Sequence, residues 1–278
     1  TLTERQGGAL FISTPKGFNW FEKLYHDAQN MEDWDSWQLP SSTNPFVPLG
    51  ELDIARQEIG SYLYSQEYEA KFVELSGGIF KEDWFKFYDS KKITILGADD
   101  YYVDKLEHKY GNNKRIHDDQ LRKIATVDLA TTTKETSDYT VICIVGITPD
   151  NDILVLDMIR ERLEAPDIIP LLKKTMIQHE LDYIGVERAG FQIALIQLAR
   201  REGIAIKELR ADRDKITRAM PLSAKMEGGQ VYFKRNAKWL DDLQRELLQF
   251  PEAEHDDQVD ALSYSILEIN KARKFKAY

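Results

Sequence analysis

Several features are scarce in this sequence, and each shortage excludes a class of protein. The chain has a single cysteine, Cys143, which excludes an internal disulfide framework and a cysteine-rich zinc site and fits a reducing compartment. The five histidines are scattered without a paired metal-ligand spacing. No apolar run approaches the ~20 residues that a membrane span needs, and no segment has the pattern of a signal peptide. These absences predict a soluble globular protein with no membrane partner.

An excess of basic residues is also missing, because the net charge is −10. A nucleic-acid partner would therefore have to be bound by a local basic patch, with acidic residues placed elsewhere or neutralised by metal. One such patch lies between Ala205 and Trp239, a segment that contains nine lysines and arginines but only four acidic residues. No G-x-x-x-x-G-K-[ST] motif occurs, so we expect no ATP hydrolysis by a phosphate-cradling loop.

The centre of the chain predicts a mixed sheet. Ile124–Ala130, Tyr139–Ile147 and Asp152–Arg160 are short apolar runs separated by turn residues, which is typical of an antiparallel meander. Helical periodicity then alternates with strand patterns, which predicts parallel strands joined by helices. These later elements are a helix at 165–180, a strand at 181–187, a helix at 190–201, a strand at 204–209, a helix at 214–227, a strand at 230–233, and helices at 236–248 and 255–271.

The flanking segments give further expectations. Ala9–Ser13 has the pattern of a buried strand, and Phe18–Gln29 that of an amphipathic helix. Residues 97–123 alternate charged and turn residues, which predicts an insertion or exposed connection. Gly228-Gly229 followed by Gln230–Phe233 could form a hairpin that reaches toward DNA. We place the domain boundary near the Ser76-Gly77-Gly78 break, with one unit at 1–75 and a second at 76–278.

Acidic residues fall at three places in this predicted topology. Asp128 lies in the first central strand, Glu187 ends the fourth, and Asp256, Asp257 and Asp260 lie where the last helix begins. Carboxylates that converge in one pocket repel one another, and a divalent cation reverses that cost. Mg²⁺ or Mn²⁺ suits such an all-oxygen cluster, and two ions ~4 Å apart can clamp the attacking and leaving oxygens of a phosphodiester.

Each acid also has a plain structural interpretation. Glu187 with Arg188 could be a surface ion pair, and the D-D-x-x-D run could simply favour a helix N-terminus. These interpretations do not explain why acids occur at the places where the topology brings strands together. Together, the acids favour a metal site.

Four motifs in this order resemble the ribonuclease H-like nuclease superfamily and, more specifically, the large terminase subunit of tailed bacteriophages. The motifs are I-A-T-V-D-L-A…S-D-Y-T (124–130, 137–140), Y-I-G-V-E (183–187), D-K-I-T-R-A-M-P-L-S-A-K-M-E-G-G-Q-V-Y-F (214–233) and H-D-D-Q-V-D-A-L (255–262). F-I-S-T-P-K-G (11–17) is similar to the coupling segment near the end of the terminase motor domain. The resemblance implies an α/β fold, a ribonuclease H-like mixed five-stranded sheet with three antiparallel strands followed by parallel strands, flanked by helices. It also implies that residues 1–75 are the end of a motor domain plus a linker.

The resemblance assigns site residues as well. It implies that Asp128, Glu187 and Asp257 are the catalytic, metal-binding acids. Asp260 would be a further ligand one turn along, and Asp256 competes with Asp257 for the inward position. Asp138 could support the site, and His255 could orient a ligand or a water molecule, although a role beside the helix N-terminus is the alternative. The basic residues nominated for DNA contact are Arg213, Lys215 and Arg218.

The function implied is a two-metal endonuclease, using Mg²⁺ or Mn²⁺, that cuts concatemeric double-stranded viral DNA during genome packaging with little sequence specificity. Two alternatives remain at this point: a Holliday-junction resolvase or transposase of the same superfamily, and a non-catalytic docking module for the portal or motor. By resemblance, the full-length protein would meet the portal protein and the small terminase subunit in the host cytoplasm. We expect this stretch of chain alone to be monomeric.

Overall fold

The structure, a computed structural model, describes residues 7–17, 19–73, 78–95, 98–104, 116–129, 139–188, 190, 192–210, 214–253 and 255–274. The chain divides into two compact units, Thr1–Ser76 and Gly77–Tyr278. None of the helices in these described ranges has the length and apolar character needed to cross a membrane.

The first unit is helical in its described part. Helix α1 covers Trp20–Ala28 and begins at Asn19, whose side chain accepts hydrogen bonds from the backbone N–H groups of Phe21 and Glu22. Helix α2 covers Leu49–Glu67 and is kinked at Gly60, where φ is 76°. Phe72 packs its ring against Tyr25, with the ring centroids 5.5 Å apart.

The strand expected at Ala9–Ser13 is wrong. This segment has no regular secondary structure, and its apolar side chains are exposed, with Ile12 at 85%. An isolated strand cannot satisfy its backbone N–H and C=O groups unless a neighbouring strand pairs with it. The described residues of the first unit contain no such partner strand.

The second unit is a mixed α/β domain built on one sheet, which confirms the predicted fold class. Its described strands are β1 Lys86–Ile95, β2 Ala98–Asp104, β3 Ile116–His117, β4 Arg122–Asp128, β5 Thr140–Ile147, β6 Ile153–Glu161, β7 Tyr183–Glu187, β8 Ile206–Leu209 and β9 Val231–Lys234. Its helices are α3 Ala165–His179, α4 Gln192–Arg201, α5 Lys215–Glu227, α6 Leu240–Gln249 and α7 Asp257–Lys274.

The predicted five-stranded core is present, but the sheet is larger. The strand order is β3-β2-β1-β9-β6-β5-β4-β7-β8. Strands β4, β5 and β6 pair antiparallel, and β7 and β8 continue from β4 in parallel. The four additional strands extend the edge at β6, so nine described strands replace the expected five.

Two expectations about connections are also wrong. The segment 97–123 carries strands β2 and β3 and the start of β4, so most of its described residues belong to the sheet rather than to an exposed insertion. The strand predicted at Gln230–Phe233 is present as β9, but it forms no hairpin, because it is an interior strand that pairs in parallel with both β6 and β1. Val231 and Phe233 are fully buried there, because an interior strand with two neighbours is covered by them and by packed layers.

Helices cover the central sheet on two faces. On one face, Ala125 and Val127 of β4 pack with Ile142 of β5, with Leu172 of α3 and with Leu195 of α4. Successive side chains of a strand point to opposite faces, so Thr126 and Asp128 point to the other face. There the Thr126 hydroxyl donates a 2.6 Å hydrogen bond to the backbone carbonyl of Ala261 in α7. The site below is built on this second face.

Candidate active site

The carboxyl ends of β4 and β7 bring two acids together. Val127 of β4 lies beside Val186 of β7 in the parallel ladder, so the next residues, Asp128 and Glu187, end adjacent strands at the same edge of the sheet. Val127 and Val186 point into the α3 and α4 core. Asp128 and Glu187 therefore point to the opposite face, toward α7.

The carboxyl group of Asp128 has a strongly raised pKa. Burial and then the negative fields of Asp260, Asp257 and Glu187 raise its pKa from 3.8 to about 8, while Arg218 opposes the shift. Carboxylates this close together repel one another and disfavour each other's ionisation. A bound cation would relieve this repulsion. The structure thus brings together the acids of β4, β7 and α7 that the sequence analysis singled out.

Helix α7 supplies the remaining acids at its first turn. Asp257 and Asp260 are 8% and 5% exposed, because the bond from Thr126 to Ala261 holds this turn against β4. Asp256 precedes the helix, and both of its carboxylate oxygens lie 2.7 Å from the Lys215 amino group. Of the adjacent pair, Asp257 is the buried one, and Asp256 is the one directed toward Lys215.

Asp260 is held by an arginine. The Arg218 guanidinium donates two hydrogen bonds to its carboxylate, with lengths of 3.2 and 2.8 Å. A third bond, 3.0 Å long, runs from Arg218 to the Tyr264 hydroxyl. Burial raises the pKa of Tyr264, the positive charge of Arg218 opposes this shift, and the negative charge of Glu187 adds to it. Arg218 therefore links Asp260 to Tyr264 on the same helix.

Asp257 has a different set of neighbours. Its Oδ2 lies 3.9 Å from Nη2 of Arg160, at the end of β6, and 4.0 Å from Nδ1 of His255. The same Arg160 nitrogen lies 3.2 Å from Glu246 of α6. Glu246 also accepts bonds from the backbone and side-chain N–H groups of Gln258. This pairing fixes the start of α7 against α6.

The two described basic residues that were predicted to contact DNA do not form an unpaired basic surface. Lys215 and Arg218 lie in the first turn of α5, which begins where Asp214 accepts bonds from the backbone and hydroxyl of Thr217. Both cations turn toward carboxylates of the cluster, and Arg218 is only 8% exposed. Arg213 and Asp138 lie outside the described residues.

Two side chains of this site, Tyr264 and Arg160, were not predicted from the sequence. Tyr264 follows Asp260 by four residues, so the two share one face of α7, and this spacing could have indicated it. Arg160 is distant in sequence from every acid of the cluster. Only the pairing of β6 with β5, which aligns Arg160 with Val141 and so with Asp128, brings it near the cluster.

The donor set suits a hard divalent cation by its chemistry, since Asp128, Glu187 and Asp257 offer carboxylate oxygens. The raised pKa of Asp128 reflects, after burial, their mutual repulsion. Among the described residues, no group of three or more acids or histidines has the geometry to coordinate a metal ion. Asp260 is turned to Arg218, and Asp257 lies near Arg160. Holding an ion would require the carboxylates to turn toward Asp128.

A mixed sheet with an antiparallel meander followed by parallel strands, and acids at the ends of the first and fourth core strands, defines the ribonuclease H-like class. A family model described as "Terminase RNaseH-like domain" matches residues 125–268, more than half of the chain. The chain belongs to this family.

One curated relative is similar to this chain in sequence, and solved structures are similar to it in fold. The large terminase subunit of Escherichia phage T5 is 34% identical over 106 residues, which is 37% of this chain and 24% of the relative. The large terminase of a thermophilic bacteriophage matches in fold with a TM-score of 0.61 at 13% identity, over 92% of this chain and 60% of that one. The same protein solved with ADP gives a TM-score of 0.60 at 14% identity, over 91% of this chain and 60% of that one. The chain thus spans about a quarter of the T5 relative and about three fifths of the thermophilic phage protein.

Proposed function

We propose that this chain is the metal-dependent endonuclease portion of a large terminase subunit, which cuts concatemeric double-stranded viral DNA during genome packaging with little sequence specificity. The observation that carries the proposal is the convergence of Asp128, Glu187 and Asp257 at one edge of a sheet in a terminase RNaseH-like domain. The four-motif resemblance and the T5 relative support the same biological setting.

In this proposal Asp128, Glu187 and Asp257 hold Mg²⁺ or Mn²⁺, and two ions are the arrangement expected for phosphodiester hydrolysis. Bound ions would supply an activated water nucleophile and neutralise the charge that develops on the leaving oxygen. Asp260 does not need to bind metal directly. It accepts hydrogen bonds from Arg218, which also donates one to the Tyr264 hydroxyl.

The first unit, residues 1–75 in our expectation, is proposed to be the end of a motor domain and its linker. The fold match to the large terminase of the thermophilic bacteriophage covers 92% of the chain and so extends into this unit. We propose the portal protein and the small terminase subunit as partners of the full-length protein, in the host cytoplasm. ATP hydrolysis is not part of the proposal, because the sequence contains no G-x-x-x-x-G-K-[ST] motif.

The test is nicking and linearisation of supercoiled plasmid by the 278-residue chain with Mg²⁺, Mn²⁺ or EDTA. Asp128→Asn and Asp257→Asn should each abolish cutting. The matched control is Asp182→Asn, which removes an exposed carboxylate just before β7, at the opposite end of that strand. Equal cutting by the wild type and both site variants, or no cutting by a folded wild type with either metal, would refute the proposal.

A docking module without catalysis is the second candidate. One observation favours it: Asp256 and Asp260 are already neutralised within the chain by Lys215 and Arg218. The plasmid assay separates the two candidates, since a docking module would leave DNA intact in every metal. A resolvase or transposase gains nothing from the family match, which is to a terminase domain.

A further inference from the structure

The geometry points to a DNA-phosphate clamp formed by Arg160, Tyr139 and Arg162 beside the acid cluster, with Arg162 as its phosphate-contacting residue. This inference rests on the proposed function and names where the DNA backbone would be held. No motif of the sequence analysis assigned a role to these three residues. We define them as the Tyr139 clamp.

The sheet register places the clamp next to the acids. Asp128 of β4 is paired with Val141 of β5, and Val141 is paired with Arg160 of β6. Residues opposite each other in antiparallel pairs point to the same face, so Asp128 and Arg160 lie in one row on the α7 face of the sheet. Two inter-strand spacings separate them, which is about 10 Å between backbones.

The next row outward carries the other two members. Thr140 is paired with Glu161, so the register continued by one residue sets Tyr139 beside Arg162. The guanidinium carbons of Arg160 and Arg162 lie 4.1 and 4.6 Å from the centroid of the Tyr139 ring. Two arginines on one aromatic ring are held in fixed positions despite their like charge, since cation–π contacts stabilise both.

The two guanidinium groups differ in how many of their N–H groups are free to bind a ligand. Arg160 is anchored inward by Glu246, although its buried Nε has no hydrogen-bond partner among the described residues. Arg162 is exposed and makes no ion pair with the described residues. An arginine with its plane fixed by an aromatic ring and its N–H groups facing solvent matches the bidentate geometry of a phosphate.

The location selects a DNA phosphate as the occupant. The DNA backbone would have to pass over Asp128 to be cut, and phosphates along one strand advance about 3.4 Å per nucleotide along the helix axis. Arg160 lies about 10 Å from Asp128, and Arg162 lies one row further out. Arg162 would therefore contact a phosphate about three nucleotides from the cut. Lys215 and Arg218, in contrast, are engaged by Asp256 and Asp260.

The test measures binding of a short blunt DNA duplex by fluorescence anisotropy across a salt series. The chain carries Asp128→Asn, so that the duplex stays intact in Mg²⁺. Arg162→Ala should weaken binding about tenfold, since a charge-assisted hydrogen bond is lost. The slope of log affinity against log salt should become shallower by about 0.9, the value for one phosphate contact. Arg162→Lys should keep the slope but recover only part of the affinity, because lysine cannot bind in a bidentate manner.

The matched control is Arg200→Ala, which also removes one exposed arginine charge but lies on α4, on the other face of the sheet. Arg200→Ala should leave both the affinity and the salt slope unchanged. In the cutting assay without Asp128→Asn, Arg162→Ala should raise KM and leave kcat unchanged.

The outcomes separate this inference from the proposed function. If the chain cuts DNA and Arg162→Ala behaves like Arg200→Ala, the clamp is refuted while the nuclease stands. If the chain cuts nothing in either metal but Arg162→Ala still weakens binding as described, the clamp stands on a docking module. If the chain neither binds nor cuts DNA, both are refuted.

Discussion

Asp128→Asn should stabilise the metal-free protein at neutral and alkaline pH, even though we expect it to abolish cutting. The buried Asp128 carboxyl, surrounded by Asp260, Asp257 and Glu187, has its pKa raised from 3.8 to about 8. Between these two values the unfolded chain has lost this proton and the folded chain still holds it. Unfolding is therefore favoured as the pH rises through this window.

The magnitude follows from the same values. Each pH unit inside the window removes about 1.4 kcal/mol from the free energy of unfolding, so the limit from pH 4 to pH 8 is about 6 kcal/mol. Asparagine carries no charge at any pH and avoids this loss. Above pH 8 the folded carboxyl also ionises, and the difference between wild type and variant stops growing.

The assay is urea unfolding in EDTA at a series of pH values from 4 to 9. The wild type should lose stability steadily as the pH rises, relative to Asp128→Asn, and Mg²⁺ or Mn²⁺ should restore it, because an ion that binds only the folded state stabilises that state. Asp182→Asn serves as the control, since its carboxylate is exposed. If Asp128→Asn shows the same pH dependence as the wild type, the carboxyl is not held in the repulsive cluster described above.

Other changes have equally definite expectations. Tyr264→Phe removes the hydroxyl that accepts a hydrogen bond from Arg218, the residue that holds Asp260. We expect kcat for plasmid cutting to fall at least tenfold with unchanged DNA affinity, and an unchanged kcat would show that this bond does not position the acids. Gly185→Ala would place a Cβ 3.1 Å from Leu209, so it should destabilise the protein by about 1–3 kcal/mol in urea unfolding. Leu172→Ala, in the fully buried core under α3, should cost about 2–5 kcal/mol in the same measurement.

The sequence by itself determined the central elements of the second unit. The runs that became β4, β5, β6 and β7 are rich in β-branched residues, and such runs form buried strands in almost any context that covers both faces. Because parallel strands end at the same edge of a sheet, the positions of Asp128 and Glu187 in their strands were enough to predict that the two acids meet. The fold class and the position of this acid pair were therefore predictable.

Where local pattern and tertiary context disagreed, the context decided. Ala9–Ser13 has a strand pattern but no described partner strand in its unit, so it forms no ladder. Gln230–Phe233 follows two glycines as a hairpin would, but the strand it contains inserts between β6 and β1. The energy of pairing between distant segments depends on both segments, so a short stretch of sequence does not reveal it.

The tertiary structure also decided the partners of the acids. Asp256 and Asp257 are adjacent in sequence, and only the docking of α7 on β4, fixed by the bond from Thr126 to Ala261, buries Asp257 and leaves Asp256 to Lys215. Arg160 reaches Asp257 through strand register, and Arg218 reaches Asp260 through the packing of α5 on α7. Side chains brought together by separate elements are invisible to sequence spacing, because their distance depends on how those elements pack.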